Sequence, residues 1–570
     1  MSTKSRSTTS NTPNLKTSLL IISLLAGALV VAFYFYLQPS DQFNEYINEQ
    51  NSIMIDQETI EENFIFHQDK IYIPVVTAQQ HIDDRIYYNE RDAAVILTTG
   101  TKVIEFPLND FSRSVNREKE ESDYSPAILD REEAFISVEQ LQDIYGLAFE
   151  YLPQQEQLYL VTAGNELISA QLSEDTDLDD RRVRHSPNYQ SSYFKEVEDD
   201  EFWVIEQAND FYRILLQSGE IGHLPEESVS ILKTSLIEPL NDPFEPVEHN
   251  IDKPLHMSWD AMYQSASTPD NAPSLPGVDV ISPTWFHLTD SEGNIRDYGK
   301  KSYVESAQEQ GKEVWALFSN DFDPDRTSAV FKSFEKRSRV IDQLLEKAET
   351  YQLDGLNIDI ENVNYQDQDL VTQFIRELVP LAHNKGLVVS MDITFLSMSG
   401  NWSLFYDREE LVQLVDYLVV MAYDQHPARS TVAGSVAELD WVDRELDELL
   451  QVVPNDQLIL GVPLYTRLWT ETDSEVSSEV FSMDEAKQWT ENQEEEVAFD
   501  EDAGQDYLFV EESNESYKLW LENSQSISSR IELVKKYDLP GIATWEESFA
   551  NESIWPLIKE KLDQYRESDE

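Results

Sequence analysis

The sequence predicts an α/β protein: a (β/α)8 TIM barrel with an inserted α+β segment, preceded by small β-rich domains and a transmembrane helix. Three features carry that expectation. From about residue 254 onward, eight apolar runs alternate with helix-length amphipathic stretches. Short strands punctuated by turns precede them. Near the start stands one uncharged run long enough to cross a bilayer.

At 570 residues the chain exceeds one ordinary domain. Asp plus Glu number 109 against 42 Lys plus Arg, a net charge of −67. Apolar residues at 41% suffice to bury cores, so the acid belongs to a folded surface. Such a surface repels phosphate backbones, which excludes nucleic acid as a partner. The absence of Cys excludes disulfides, thiolate metal sites and a thiol nucleophile. No spacing points to a metal or to any other cofactor.

Residues 1–17 read as a cytoplasmic tail and 18–37 as a membrane anchor. Ser18 to Leu37 is an uncharged run of 20 residues, about 30 Å as a helix. Lys4, Arg6 and Lys16 precede it while Asp41, Glu45 and Glu49 follow, so the positive-inside bias sends the later domains outward from a single-pass cell-membrane anchor. The alternative is a cleaved signal peptide. Against it, the run exceeds a usual signal core and leads into Phe33–Pro39 without a small-x-small cleavage pattern.

An acidic linker at 38–61 leads to a small α+β domain expected at 62–165. Its runs are Lys70–Pro74, Ala94–Leu97, Lys102–Phe106, Ala134–Val138 and Gln157–Val161, with a helix-like Glu139–Tyr145. On "YIPVVTAQQHIDD" and "FISVEQLQDIYGLAFEY" this segment resembles the copper amine oxidase N-terminal-like domain. It implies no copper here, because His67 and His81 lack ligand spacing. Glu174–Arg184 reads as a charged linker. Residues 190–234 then carry "FYRILLQSGEIGHLPEESVSI", which resembles bacterial SH3-like barrels; a β-hairpin extension of the next domain is the alternative.

The barrel is expected at 250–567. Its strands are His256–Trp259, Val278–Phe286, Glu313–Phe318, Gly355–Ile360, Val388–Thr394, Tyr417–Tyr423, Leu458–Leu464 and Gly541–Trp545. About 75 residues separate the last two, enough for a crossover helix (Ser526–Tyr537) and an inserted segment, Thr466–Tyr517, beside the active-site face.

The chemistry concentrates in Asp354-Gly355-Leu356-Asn357-Ile358-Asp359-Ile360-Glu361. On a strand, Asn357, Asp359 and Glu361 point one way and Leu356, Ile358 and Ile360 the other, while Asp354 is out of phase. Glu361 then reaches the C-terminal rim, where barrel enzymes keep their catalytic groups. The pattern D-G-x-x-x-D-x-E arises by chance roughly 0.01–0.02 times in a chain of this composition. A buried row of acids is also costly unless its protons are shared, which favours function over packing.

Here the sequence resembles glycoside hydrolase family 18, the chitinases and endo-β-N-acetylglucosaminidases, especially their bacterial spore and cell-wall branch. The family pattern is D-G-x-[DN]-x-D-x-E, with its last Glu as proton donor. Chitinases commonly carry Asp where this chain has Asn357, so a proton relay along the row loses one ionisable member. The resemblance continues in Met421-Ala422-Tyr423-Asp424, in Gly461-Val462-Pro463-Leu464-Tyr465 and in Gly541-Ile542-Ala543-Thr544-Trp545. Trp285, Trp315 and Trp469 read equally as core packing or as sugar platforms.

The resemblance implies that Glu361 protonates the glycosidic oxygen and that the substrate's 2-acetamido group attacks C1. Asp359 would orient and charge-stabilise that group, Tyr423 would hydrogen-bond its carbonyl and Trp545 would pack beneath the ring. Met421 and Asp424 would help hold the sugar, and Asp354 and Asn357 would support the row. The expected function is membrane-anchored extracellular hydrolysis of β-1,4 bonds in N-acetylglucosamine-containing polymers, peptidoglycan before chitin, with retention of configuration. The rivals are a non-catalytic sugar-binding chitinase-like protein, and a cell-wall scaffold or germination protein.

Overall fold

The computed structural model describes residues 15–46, 52–198, 200–249, 251–263, 268–512 and 514–568; the side chains of residues 15–18, 21, 32, 34–37 and 568 lie outside that description. The expected cytoplasmic tail therefore falls outside the described residues up to position 14, and so do several anchor side chains. Two compact units divide the chain: Met1–Asp84 with Leu129–Asn241, and Arg85–Ile128 with Asp242–Glu570.

The first unit begins with a helix over Leu15–Leu37. Among the described residues, no helix is long and apolar enough to cross a membrane. Residues 40–46, expected as free linker, lie along a sheet. Ser40 N donates to Tyr189 O at 2.7 Å and Asn44 N to Tyr193 O at 2.9 Å. The cause is Tyr46, which packs into that sheet's core and accepts from Ile221 N at 3.1 Å. The sheet has seven antiparallel strands, in the order Tyr193–Glu196, Arg182–Arg184, Ile221–Pro225, Phe211–Leu216, Phe202–Ala208, Glu166–Leu172 and Val229–Leu236. It thus begins well before residue 190 and takes in Arg182–Arg184, read as linker, because Val183 supplies part of its core. In the same unit Ser52–Ile55 pairs parallel with Gln157–Val161, and Glu133–Ser137 antiparallel with Lys70–Pro74.

The stretch 62–165 is divided between the units. Ile86–Asn89, Ala94–Thr98, Val103–Pro107, Ser112–Val115 and Glu118–Glu121 form an antiparallel meander belonging to the second unit. Its buried Ala94, Ile96 and Val103 join the apolar layer outside the barrel. Asn89 Nδ2 donates to Lys332 O at 3.2 Å, and Arg117 pairs with Asp342 at 3.1 Å. Contiguity in sequence did not mean contiguity in core.

The barrel strands are β1 (Leu255–Asp260), β2 (Val280–Pro283), β3 (Glu313–Ser319), β4 (Gly355–Asp359), β5 (Val388–Ile393), β6 (Tyr417–Met421), β7 (Leu458–Pro463) and β8 (Gly541–Trp545). All pair in parallel, and closure runs through β8–β1, with Leu255 opposite Gly541, and through β2–β3, with Val280 opposite Glu313. Each strand alternates. Leu356, Ile358, Val389, Met391, Leu418 and Val420 pack against the helices, while Met257, Trp259, Trp315, Leu317 and Tyr417 fill the interior. Gly355 takes the inward parity of β4, and it is glycine because a Cβ there would meet the Trp315 ring at 2.7 Å. Trp315 in turn stacks on Tyr417 at 5.9 Å, so the N-terminal half of the barrel is plugged.

Between β7 and β8 the inserted segment is a five-stranded antiparallel sheet with a helix at Met483–Glu491 capped by a Ser482–Glu485 box. The crossover helix follows at Ser524–Lys536.

The helices Phe334–Tyr351 and Gln368–His383 are joined by Arg337 and Glu377, whose side chains are both 0% exposed and 2.7 Å apart. Removing one partner strands the other charge in the apolar layer. Glu377→Ala is expected to lower the unfolding free energy by about 3–5 kcal/mol, read from urea denaturation.

Candidate active site

β4 directs Asn357, Asp359 and Glu361 into the barrel, as the alternation of its residues predicts. Asn357 is fully buried. Its Oδ1 accepts from Trp259 Nε1 at 3.0 Å and from Ser282 Oγ at 3.1 Å. Its Nδ2 donates to Asp392 Oδ1 at 2.8 Å and to Ser390 Oγ at 3.1 Å. That amide therefore ties β4 to β1, β2 and β5 in the middle of the barrel.

Asp359 and Glu361 stand above it, half-buried, each with a face open to the cleft. Burial pushes the Asp359 carboxyl up to about 7, against the lowering effect of its Ser319 and Glu361 neighbours. Among the described residues, Asp359 Oδ1 has no hydrogen-bond partner. Burial raises Glu361 well above the usual carboxylate range, and the charges of Asp359, Asp392 and Asp424 add to that effect. Asp392 is raised likewise, by burial and then by Asp359. Burial thus raises all three carboxyls, and the charge of Asp359 raises Glu361 and Asp392 further.

Groups that sequence reasoning did not name hold Glu361 in place. Asn320, fully buried just beyond β3, accepts from Glu361 N at 3.1 Å and donates to Glu361 O at 2.7 Å. Tyr406 OH donates to Ile360 O at 2.8 Å. Arg408, buried and lowered to about 10 by that burial, donates to the carbonyls of Thr394, Phe395, Ser403 and Tyr406 and so folds the loop after β5. Asp392 had a legible signal: with Val388 and Ser390 it takes the inward parity of β5.

Met421 at the end of β6 and Tyr423 just beyond it are half-buried, with Tyr423 edge-on to Tyr465 at 6.4 Å. Asp424 adopts a left-handed backbone with φ 58°. Tyr465 OH donates to its Oδ1 at 2.6 Å and Arg467 pairs with it at 3.3 Å, both from the first strand of the inserted sheet, Tyr465–Thr472. Trp545 at the end of β8 lies edge-on to Trp259 at 5.6 Å, and the Trp545–Glu546 peptide is cis. Trp285, Trp315 and Trp469 are all core, each 1% exposed or less.

Asp354 is not brought to the row. It lies at the N-terminal end of β4, where its carboxylate accepts from Val314 N at 2.9 Å and from Gln308 Nε2 at 3.1 Å. At about 3.3 Å per residue, most of the length of β4 separates it from Glu361. Two exposed aromatics that the sequence reading omitted, Phe322 after β3 and Trp402 after β5, face one another at 6.4 Å.

Residues 263–549, half of the chain, match the sequence profile of Glycosyl hydrolases family 18. The chain belongs to glycoside hydrolase family 18. This glycosidase is 26% identical over 263 residues to the uncharacterized glycosylase YvbX of Bacillus subtilis, covering 44% of this chain and 76% of that one. It is 23% identical over 232 residues to the cortical fragment-lytic enzyme of Bacillus subtilis, covering 40% of this chain and 54% of that protein. A solved chitinase from Chromobacterium violaceum superposes with a TM-score of 0.48 at 19% identity, over 54% of this chain and 98% of that one. Tyr423 lies near the carboxyls of Asp392, Glu361 and Asp359, and Trp545 packs against Trp259.

The raised Glu361 carboxyl has a consequence for stability. A carboxyl whose folded pKa lies above its unfolded value of about 4.3 leaves stability intact below that pH and removes it as pH climbs toward the folded value. Glu361→Gln is therefore expected to melt higher than the parent at neutral pH, with the difference closing below about pH 4. Thermal scans across pH check this.

Proposed function

We propose that this glycosidase cleaves β-1,4 bonds of N-acetylglucosamine-containing polymers by substrate-assisted, retaining catalysis, with peptidoglycan favoured over chitin. One observation carries the reading: Glu361, its carboxyl raised by burial, stands at the rim two residues beyond an Asp359 whose Oδ1 lacks a donor. An acetamido N–H supplies that donor. Asp424, a further carboxylate acting on Glu361, is held through Oδ1 by Tyr465 and Arg467.

In this mechanism Glu361 gives its proton to the glycosidic oxygen as the C1–O bond breaks. The acetamido carbonyl oxygen closes onto C1, giving a cationic five-membered ring. The Asp359 carboxylate faces the positive charge through the ring N–H. Tyr423 orients the carbonyl, Trp545 floors the sugar, and Met421 helps hold it. Glu361, now anionic, takes a proton from water as that water opens the ring at C1, which restores the acid. Two inversions at C1 leave the β configuration, and no carboxylate nucleophile is needed.

The names of two relatives support peptidoglycan: the cortical fragment-lytic enzyme, and a putative sporulation-specific glycosylase of Bacillus subtilis that is 26% identical over 234 residues. An anchored enzyme faces its own wall. Support for the anchor comes from the Ser18–Leu37 run and from the exposure of Leu19, Leu20, Ile22, Leu24, Leu25, Leu29, Val30, Val31 and Phe33. We read the sheet around 190–234 as the SH3-like unit and the strands flanking it in the first unit as the amine-oxidase-N-terminal-like part, both turned outward with the barrel.

Glu361→Gln is expected to lose about 10²–10⁴-fold in turnover on purified peptidoglycan while keeping its fold. Proton NMR of the fresh wild-type reaction is expected to show the β-anomer first; an initial α-anomer refutes the neighbouring-group route. Protease added to intact cells is expected to digest the barrel, and protection of the whole chain refutes the outward orientation.

A further inference from the structure

The acid row carries an amide at Asn357, and β5 sets a carboxylate beside the gap. β4 and β5 run parallel with Asn357 opposite Ser390 and Ile358 opposite Met391. Laterally paired residues of a parallel sheet face the same side. Ser390 therefore points inward beside Asn357, and Asp392 points inward one pleat higher, beside Asp359. Asn357 spends both N–H groups and both carbonyl lone pairs on Asp392, Ser390, Trp259 and Ser282. It is locked with its N–H end toward Asp392 and has no proton to exchange.

Asp392 is 2% exposed. The groups acting on or with it are Asp359 and Glu361 from β4, Tyr423 from the segment after β6 and Tyr406 from the loop after β5, with the uncharged Trp259 indole from β1. None of them is a cation. The Arg408 guanidinium on the β5 loop is turned to backbone carbonyls instead. A carboxylate buried without a counter-ion, against another carboxylate, is costly as packing alone.

We propose that Asp392 stands in for the ionisable group missing at Asn357, as a positioning acid that acts through Asp359 and Glu361 and sets the pH range in which Asp359 is charged while Glu361 keeps its proton. The proposal rests on the reading that Glu361 and Asp359 carry the reaction. Its physical content is a like-charge interaction relayed across two strands. When Asp392 ionises, its charge holds the proton on Glu361 to higher pH. Without it, Glu361 releases its proton sooner.

Asp392→Asn tests this, because the new amide oxygen still accepts from Asn357 Nδ2 but the group no longer ionises. Initial rates of the full-length chain on soluble glycan strands freed from peptidoglycan are measured across pH. The alkaline limb of kcat is expected to move down by about one pH unit. The transposed variant Asn357→Asp/Asp392→Asn, which returns one acid to the row from the other strand, is expected to bring the limb back. A purely structural Asp392 predicts a wild-type profile for Asp392→Asn, and that profile overturns the proposal, as does a shift that the transposed variant fails to reverse. Should Asp392→Asn not fold, Asn357→Asp alone adds an ionisable group and is expected to move the limb up; an unmoved limb overturns the proposal. Glu361→Gln is run beside them. If it retains turnover, the reading of the row fails; if it is inactive while Asp392→Asn titrates like the parent, only the role of Asp392 fails.

Discussion

Closing eight strands into a barrel leaves the inward-facing polar side chains of β4 and β5 no route to bulk water except the C-terminal mouth, and every feature of the cleft follows from how they are satisfied there. Asn357 is the first consequence. Its four hydrogen bonds join β1, β2, β4 and β5 at mid-height, so one amide both satisfies the polar layer and orients the Asp392 carboxylate. Trp259 donates to that amide and packs edge-on against Trp545, which couples the end of β8 to the same network. The carboxyls higher in the row cannot all be charged in such a place. Burial raises all three carboxyls, and their mutual repulsion raises Glu361 and Asp392 further.

The mouth of the barrel is held from several directions. Asn320 grips both backbone groups of Glu361, so the acid's position depends on β3 as much as on its own strand. The inserted sheet reaches back through Tyr465 and Arg467 to fix Asp424. The inserted sheet is itself tied down by the fully buried Arg530–Glu522 pair at 2.6 Å, and Arg530 also donates to Ala437 O. The insertion thus holds Asp424, whose backbone is left-handed.

How much of this was legible in the chain varies by the kind of interaction. The row on β4 was readable because strand alternation has period two, so Asn357, Asp359 and Glu361 declare their shared face without knowledge of any partner. The eight strands were readable for a related reason: runs buried on both faces are continuously apolar. Gly355 read as part of a motif, while its cause, the Trp315 ring against it, did not. Asp354 read as an outlying member of the row and instead caps the start of β3 through Val314 N, a contact set by the neighbouring strand's register.

By itself, the order of residues determined which side chains share a strand face and where the row Asn357, Asp359 and Glu361 would lie, and its composition set the net charge. Those are properties of one segment or of composition. The tertiary structure alone decided that Asp392 stands beside Asp359, that Asn320 holds Glu361, that Tyr465 and Arg467 hold Asp424, and that residues 85–128 belong with the barrel. Each of these joins segments tens to hundreds of residues apart, and which of many compatible neighbours meets which is chosen by barrel closure and shared burial, quantities that exist only once the whole chain has packed.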